Sequence, residues 1–270
     1  MRNLQNLHTH TLYCDGKNTP EEMILAAIAK GFVGLGFSEH TTTPSPATPN
    51  EEQLSAYRRE VRALAEKYKG QIDIFCGLEY DPETSAPLHE YDYLIASMHY
   101  VHKNGGRYTT DGAPERVRRG IDEAFGGDGM AFALAYFKEL CSLADGGHFD
   151  IIGHFDLVSK HCEKAGFFDP CAPEYIKAGL TVIDALVGKI PFFEVNTGAI
   201  ARGNRTTPYP APVFLRAFRE HGFGAVITSD CHDAAFLDCH FREAAALLES
   251  CGFTERYILT KRGFEAVPLY

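Results

Sequence analysis

The feature that most constrains the fold is a regular alternation of short apolar segments with amphipathic segments along 270 residues. The apolar segments predict seven strands, at residues 4–8, 33–40, 72–80, 91–100, 149–156, 191–197 and 224–232. Helical patterns lie between or after them, at residues 19–32, 50–70, 114–125, 130–144, 173–189, 212–223 and 242–253. Alternating strands and helices are typical of a parallel α/β sheet. At this length a closed or nearly closed barrel is favoured over the alternative, an open doubly wound sheet.

The boundaries of the first helix are marked by local signals. Thr19 suits the N-cap, Pro20 suits the first turn, Glu22 completes a capping box and Gly31 suits the stop. Residues 105–112 are expected to form a loop, residues 198–212 another, and residues 255–260 a short final strand. We find no internal repeat, low-complexity tract or long linker, so residues 1–270 are expected to form a single domain.

Composition excludes several classes of protein. Hydrophobic residues make up 45% and charged residues 23%, which is ordinary for a globular protein with a sizeable core. The formal net charge of −10 leans away from a nucleic-acid partner, which needs a basic face. The first residues lack a signal-peptide pattern and no apolar run is long enough to span a membrane. With eight cysteines and no C-x-x-C pair, the chain is expected to be cytoplasmic with reduced thiols.

Histidine and acidic residues recur where the predicted strands end. In a parallel barrel these ends meet on one face, where active sites lie. His8 and His10 are two residues apart on one strand, so their side chains point the same way, and Asp230 and His232 repeat this spacing. Each residue alone would more often be a surface or hydrogen-bonded residue. The joint pattern predicts a metal centre built from His8, His10, Asp15, His40, Glu79, His99, His154, Asp230 and His232.

The mixture of imidazole and carboxylate donors suits Zn²⁺, Fe²⁺ or Mn²⁺. Nine ligands are too many for one ion, so the sequence predicts two or three divalent transition metal ions, with a carboxylate such as Glu79 as a bridge. Closely spaced ions lower the pKa of a shared water and hold both the attacking and the leaving oxygen of a phosphoryl transfer.

The ordered motifs "LHTHTLYCDG", "GFSEH", "GLEYD", "SMHYV", "FDIIGHFDLV", "FEVNTGA" and "SDCHD" span nearly the whole chain. Together they resemble the polymerase and histidinol phosphatase (PHP) superfamily, and within it the monofunctional histidinol-phosphatase branch most. The resemblance implies a distorted (β/α)7 barrel with a trinuclear metal site. It assigns His8, His10, Glu79 and Asp230 to one ion, Glu79, His99 and His154 to a second, and Asp15, His40 and His232 to a third.

The implied reaction is hydrolysis of L-histidinol phosphate to L-histidinol and phosphate, a step of histidine biosynthesis. We expect a hydroxide that bridges the metals to attack phosphorus in line, with Glu79, Asp230 and His232 as the catalytic residues. Cys231, between two ligands, is expected to pack on the opposite side of its strand.

The phosphate of such a substrate also needs hydrogen-bond donors. Arg202 is the first candidate because a guanidinium grips phosphate through two donors, and Lys160 is a weaker one. Asn196, at the end of the sixth strand, is predicted to orient the substrate or a ligand. Glu194 points the same way and could serve as a buried structural acid. The segment 103–128 is expected to be a lid or a subunit contact.

Three other functions stay open from the sequence. The first is a PHP-type phosphatase or nuclease that acts on another phosphate ester or on nucleic-acid ends. The second is an amidohydrolase barrel, although no lysine occupies the middle ligand position. The third is a barrel that lost its metals and serves as a binding module. In the favoured interpretation the partner is a small phosphate ester, and a homo-oligomer is left open.

Overall fold

The predicted strands are all present in the computed structural model, which describes residues 1–41, 48–82 and 88–270. The strands are β1 (Gln5–Asn6), β2 (Gly34–His40), β3 (Asp73–Tyr80), β4 (Tyr93–Ala96), β5 (Tyr100–Lys103), β6 (Gly106–Thr109), β7 (Ile151–Ile152), β8 (Phe192–Asn196), β9 (Gly224–Thr228), β10 (Glu255–Thr260) and β11 (Gly263–Pro268). Seven of them form one parallel sheet in the order β1-β2-β3-β4-β7-β8-β9.

The two edges of this sheet meet just beyond β1 and β9. Thr9 and Cys231 form a parallel bridge, His10 N donates to Cys231 O at 2.8 Å, and Cys231 N donates to His8 O at 3.1 Å. These contacts close the sheet, which confirms the predicted (β/α)7 barrel and excludes the open doubly wound sheet. Cys231 is buried, as its predicted packing position requires.

Seven of the nine helices in the described part of the chain follow the sequence patterns, whereas two short ones, Cys162–Ala165 and Gly198–Ala201, were not predicted. The nine helices are α1 (Pro20–Ala29), α2 (Glu51–Lys67), α3 (Pro114–Phe125), α4 (Gly129–Leu140), α5 (Cys162–Ala165), α6 (Pro173–Leu186), α7 (Gly198–Ala201), α8 (Pro212–Glu220) and α9 (Phe241–Ser250). The capping box of α1 forms as predicted, since Glu22 N donates to Thr19 Oγ1 and Thr19 N donates to a Glu22 carboxylate oxygen.

Two predicted loops contain regular structure. The segment expected to be a loop at 105–112 begins with β6, which pairs antiparallel with β5. The two-residue turn between them, Asn104 and Gly105, has positive φ at both residues, as an Asn-Gly hairpin turn requires. The short helix α7 lies in the predicted loop 198–212. The predicted final strand, β10, also pairs antiparallel, with β11.

The barrel interior is filled by side chains at the start of the strands. Tyr93 of β4 lies between Gly36 and Gly77, and a Cβ at Gly77 would come within 2.2 Å of the Tyr93 ring. The hairpin β10–β11 covers this end, where Gln5 Nε2 donates to Leu259 O at 2.8 Å and Leu259 N donates to Gln5 Oε1 at 2.6 Å. The opposite end, at the carboxyl ends of the strands, is therefore the end open to a ligand. Within the described residues, no helix is long and apolar enough to cross a membrane.

Candidate metal centre

The nine predicted ligands converge at the carboxyl ends of the barrel strands. His40 and Glu79 lie within β2 and β3, His99 follows β4 and His154 follows β7. The remaining five, His8, His10, Asp15, Asp230 and His232, lie in the segments that follow β1 and β9. The parallel order of the strands therefore brings together residues that lie far apart in the chain, as the sequence pattern predicted.

Glu79 stands at the centre of the cluster, 1% exposed and facing five imidazoles. Its Oε1 lies 2.9 Å from His154 Nε2 and 3.3 Å from His99 Nε2. Its Oε2 lies 2.8 Å from Nδ1 of His40, 3.3 Å from Nε2 of His8 and 3.5 Å from Nε2 of His10. A carboxylate whose two oxygens face different sets of imidazoles has the arrangement of a bridging ligand.

Asp230 and Asp15 extend the cluster on one side. Asp230 Oδ1 lies 3.5 Å from Nε2 of His10 and 3.5 Å from Nδ1 of His232. Asp15 Oδ1 lies 3.2 Å from Nε2 of His232 and 3.6 Å from Nε2 of His40. Asp230 adopts a left-handed backbone conformation with φ of 48°, which is uncommon outside glycine and recurs at functional sites.

The donor set fits metal ions. Four buried polar atoms of the cluster, His8 Nε2, His10 Nε2, His154 Nδ1 and Glu79 Oε2, have no partner in hydrogen-bond geometry among the described residues. Buried polar atoms are nearly always satisfied, so these atoms have the character of ligands. Groups of donor atoms that lie within 4.8 Å of one another include His8 with His10 and Asp230, His8 with Glu79 and His154, and His40 with Glu79 and His99.

The charges of the cluster shift the protonation of its members in both directions. Burial lowers the pKa of His8, His40 and His99, but the facing carboxylates outweigh it and raise the pKa of these three imidazoles, whereas Glu79 and His10 favour the forms that ligate. Burial opposes ionisation of Glu79, but the facing His8, His99, His40 and His154 outweigh it and hold the pKa of that carboxyl well below its usual range. Burial, together with the facing His232 and His40, lowers the pKa of His10 to about 3. An ionised carboxylate and a neutral imidazole are the forms that bind a metal ion.

Glu194 supports the cluster from within the barrel. This fully buried residue of β8 accepts from His8 Nδ1 at 2.8 Å and from the backbone N of His154 at 2.6 Å. It also accepts from Thr228 Oγ1 at 2.8 Å. Holding the proton on Nδ1 leaves Nε2 of His8 free to ligate. Glu194 is therefore a positioning residue that acts through His8, and it does not itself line the cavity.

Asn196 lies behind the cavity rather than on its surface. Its Nδ2 donates to Glu194 Oε1 at 2.9 Å, and its Oδ1 accepts from Gly198 N at 2.9 Å. Its backbone also pairs with Tyr209 in both directions. These contacts place Asn196 where it orients Glu194 rather than where a substrate would touch it.

The loop that carries Asp15 is held by Glu39, a residue that sequence reasoning missed. Glu39 is fully buried and accepts from Thr11 N at 3.0 Å, from Thr11 Oγ1 at 2.5 Å and from Cys14 Sγ at 2.5 Å. Cys14 Sγ lies among the donor atoms of His10, Asp15 and His40. Burial, and then Glu39 and Asp15, raise the pKa of the Cys14 thiol well above its usual range, which keeps it a neutral, weak ligand.

A cavity of about 240 Å³ opens onto the cluster. Besides predicted ligands, it is lined by Asp111, Leu157, Lys160 and Arg202. Arg202 reaches Asp230, donating to its backbone O and to its Oδ2, both at 2.9 Å. Lys160 Nζ donates to Asp111 O at 2.8 Å. Two of the three predicted substrate-binding residues therefore line the cavity. The segment 103–128 contributes Asp111, which sequence reasoning missed because a polar loop offers no periodic signal.

The sequence matches the PHP domain family over residues 6–197. The chain is 31% identical to a "Probable histidinol-phosphatase" of Deinococcus radiodurans, over 93% of this chain and 95% of that protein. It is 24% identical to the "Histidinol-phosphatase" of Bacillus subtilis, over 90% of this chain and 98% of that protein. The fold is similar to the crystal structure of histidinol phosphate phosphatase from Lactococcus lactis complexed with zinc, L-histidinol and phosphate. That comparison has a TM-score of 0.70 and 20% identity, over 97% of this chain and 99% of that chain. Because the family match covers more than half of the sequence, this chain belongs to the PHP domain family.

Proposed function

We propose that the protein is a metal-dependent phosphomonoester hydrolase that converts L-histidinol phosphate to L-histidinol and phosphate. The observation that carries this proposal is the position of Glu79, a buried carboxylate between five imidazoles at the floor of a cavity that also holds Arg202 and Lys160. A polynuclear centre beside cationic side chains is the arrangement that phosphate ester hydrolysis needs.

The nine ligands would hold two or three divalent ions, as Zn²⁺, Fe²⁺ or Mn²⁺. Such ions, when bound, lower the pKa of water and neutralise phosphate oxygens. His8, His10 and Asp230 supply donor atoms that lie together, and so do His40, Glu79 and His99. The division of ligands among three ions that the family resemblance implies, and a hydroxide as the nucleophile, stay predictions.

The residues of the chain have separate tasks in this proposal. Glu79 bridges the two sides of the cluster, and Asp230 and His232 hold its outer side near Asp15. Glu194 keeps a proton on His8 Nδ1, which fixes the orientation of that ring. Arg202 and Lys160 lie where a phosphate bound at the cluster would meet them. Arg202 in addition fixes Asp230 through two hydrogen bonds.

The substrate is proposed from the relatives. This chain matches, over at least 90% of its length, a "Probable histidinol-phosphatase" of Deinococcus radiodurans and the "Histidinol-phosphatase" of Bacillus subtilis. The Lactococcus lactis protein, which has the same fold, binds histidinol and phosphate. We further propose that the enzyme acts in histidine biosynthesis in the cytoplasm and that residues 1–270 form one barrel domain.

The test is phosphate release from L-histidinol phosphate by protein purified without chelator, with metal content measured on the same sample. A panel of other phosphate esters and a labelled oligonucleotide are assayed alongside, and His8→Ala is the control. We expect turnover of L-histidinol phosphate to exceed that of the panel and to be lost in His8→Ala. Cleavage of the oligonucleotide alone would replace this function with a nuclease. Metal-free protein that gains no activity with Mn²⁺, Fe²⁺ or Zn²⁺ would favour a binding module.

A further inference from the structure

Asp111 is an acid in the cavity that the metal cluster does not account for. It follows the hairpin β5–β6 and lines the cavity with Lys160 and Arg202, but it belongs to none of the groups of clustered donor atoms. A carboxylate repels a phosphate, so a cavity that served only a phosphate group would gain nothing from an acid beside its lysine.

The position of Asp111 is fixed by the barrel. Lys160 Nζ donates to the backbone O of Asp111 at 2.8 Å, and His161 Nε2 donates to the backbone O of Gly112 at 2.8 Å. The Asp111 carboxylate also accepts a hydrogen bond at Oδ1 from Thr109 Oγ1, two residues earlier in the chain, at 3.1 Å. The turn at 111–112 is therefore attached to the segment that follows β7, and its carboxylate has a defined place in the cavity.

The second carboxylate oxygen of Asp111, Oδ2, can still accept a hydrogen bond from a ligand. Asp111 Oδ2 lies 3.7 Å from Lys160 Nζ, beyond hydrogen-bond distance, and accepts no hydrogen bond within residues 1–41, 48–82 and 88–270. The Asp111 side chain is 33% exposed and that of Lys160 is 13% exposed, so both reach the cavity from its wall. Burial opposes ionisation of Asp111, but Lys160, His99 and His154 hold its pKa below the usual range. The cavity thus presents a fixed negative group and a positive group side by side.

This pair of charges matches a substrate that carries both signs. In the phosphate ester of a 2-amino alcohol, the ammonium group lies two carbons from the ester oxygen, so an acid close to the phosphate-binding lysine can reach it. We propose that Asp111 binds the ammonium group of the substrate while Lys160 and Arg202 face its phosphate, so that the cavity selects phosphomonoesters of amino alcohols. The inference rests on the proposed phosphatase function and defines the class of substrate for that site.

The experiment measures the preference for the ammonium group, as the ratio of kcat/KM for two esters that differ only in that group. One pair is L-histidinol phosphate and its analogue without the amino group, and the other is phosphoethanolamine and ethyl phosphate. In Asp111→Asn we expect the ratio to fall about 10- to 100-fold in at least one pair, the loss expected for one charge-assisted hydrogen bond. Arg202→Lys is the control, because Arg202 contacts Asp230 rather than the turn at 111–112, so this change should weaken both members of a pair alike.

Three outcomes would overturn the inference. One is a wild-type enzyme with no preference for the ammonium-bearing ester in either pair. Another is an Asp111→Asn enzyme whose ratio equals that of the wild type, even when both rates fall. The third is an equal fall of the ratio in Arg202→Lys. Metal content and Tm of each variant show that it is folded and loaded. If the wild type hydrolyses phosphoethanolamine but not L-histidinol phosphate, the proposed substrate fails while the ratio still tests Asp111.

Discussion

Replacement of Glu194 by Gln tests whether this buried acid controls the metal centre through His8. The carboxylate accepts four hydrogen bonds, at Oε2 from His8 Nδ1 and Thr228 Oγ1, and at Oε1 from His154 N and Asn196 Nδ2. Glutamine has nearly the same size but only one acceptor oxygen, and its other terminal atom is a donor. Either orientation of the amide therefore sets an N–H against a group that now donates.

The two orientations have different costs. With its nitrogen in the place of Oε2, the introduced amide can pair with His8 only if the imidazole proton moves to Nε2. That atom faces Glu79 and Asp230, and a protonated Nε2 cannot ligate a metal. With its nitrogen in the place of Oε1, the amide opposes both His154 N and Asn196 Nδ2. Each unsatisfied buried group costs about 1–3 kcal/mol of folding free energy.

We expect Glu194→Gln to lower metal affinity or kcat about 10- to 100-fold, the usual effect of losing a residue that orients a metal ligand. Affinity is measured by calorimetric titration of the chelator-treated protein with Zn²⁺ or Mn²⁺, and stability by urea unfolding of the same metal-free protein. The control is Thr228→Val, which removes one donor to the same carboxylate and leaves the His8 bond in place. It should lower stability by about 1 kcal/mol and keep the metal affinity. Metal affinity and kcat that are both equal in the two variants would refute the argument.

Three further predictions concern the metals, the arginine and the barrel core. A chelator should abolish turnover and lower Tm, because ions that bind only the folded chain stabilise it. Added Mn²⁺ should reverse both changes, and an unchanged Tm with full activity would count against the metal centre. Arg202→Lys keeps the charge but loses the paired donors that reach Asp230, so kcat/KM should fall about tenfold or more in a steady-state assay. An unchanged kcat/KM would show that Arg202 does not act by holding Asp230. Gly77→Ala should lower the free energy of unfolding, measured in urea, by about 1–3 kcal/mol, because the new Cβ would meet the Tyr93 ring. The control is Gly146→Ala, whose Cβ would make only ordinary van der Waals contacts and which should cost much less.

The convergence of the ligands could be predicted from the sequence because it depends on one rule of architecture. Once the strands are parallel and consecutive, every strand end lies on the same face, so His40, Glu79 and His154 must approach one another whatever the exact register. The strands themselves are marked by apolar segments and the helices by caps such as Thr19. This part of the site tolerates errors of one or two residues in each predicted boundary.

Asp111 could not be predicted in the same way. Its place depends on the β5–β6 hairpin, whose Asn104-Gly105 turn is the one local signal that could have indicated it. The hairpin alone does not direct the residue into the cavity. That depends on Lys160 and His161, which hold carbonyl groups of the turn and come from a segment about fifty positions later in the chain. Contacts of this kind between two irregular segments leave no periodic pattern in the sequence.

For the same reason, the sequence does not show which acids at strand ends bind a metal. The groups that face their carboxylate oxygens in the structure do. Glu39, Glu79 and Glu194 are all buried glutamates at or near the carboxyl ends of barrel strands, so position on a strand does not by itself show which of them binds a metal. Glu79 faces imidazole nitrogens, so it can ligate. Glu39 and Glu194 instead accept bonds from groups such as Thr11 N and His154 N, whose hydrogens are fixed by covalent structure. Because a carboxylate occupied by such donors has little capacity left for a cation, these two acids hold the ligands in place, and their loss should alter how well the centre binds metal rather than remove a ligand from it.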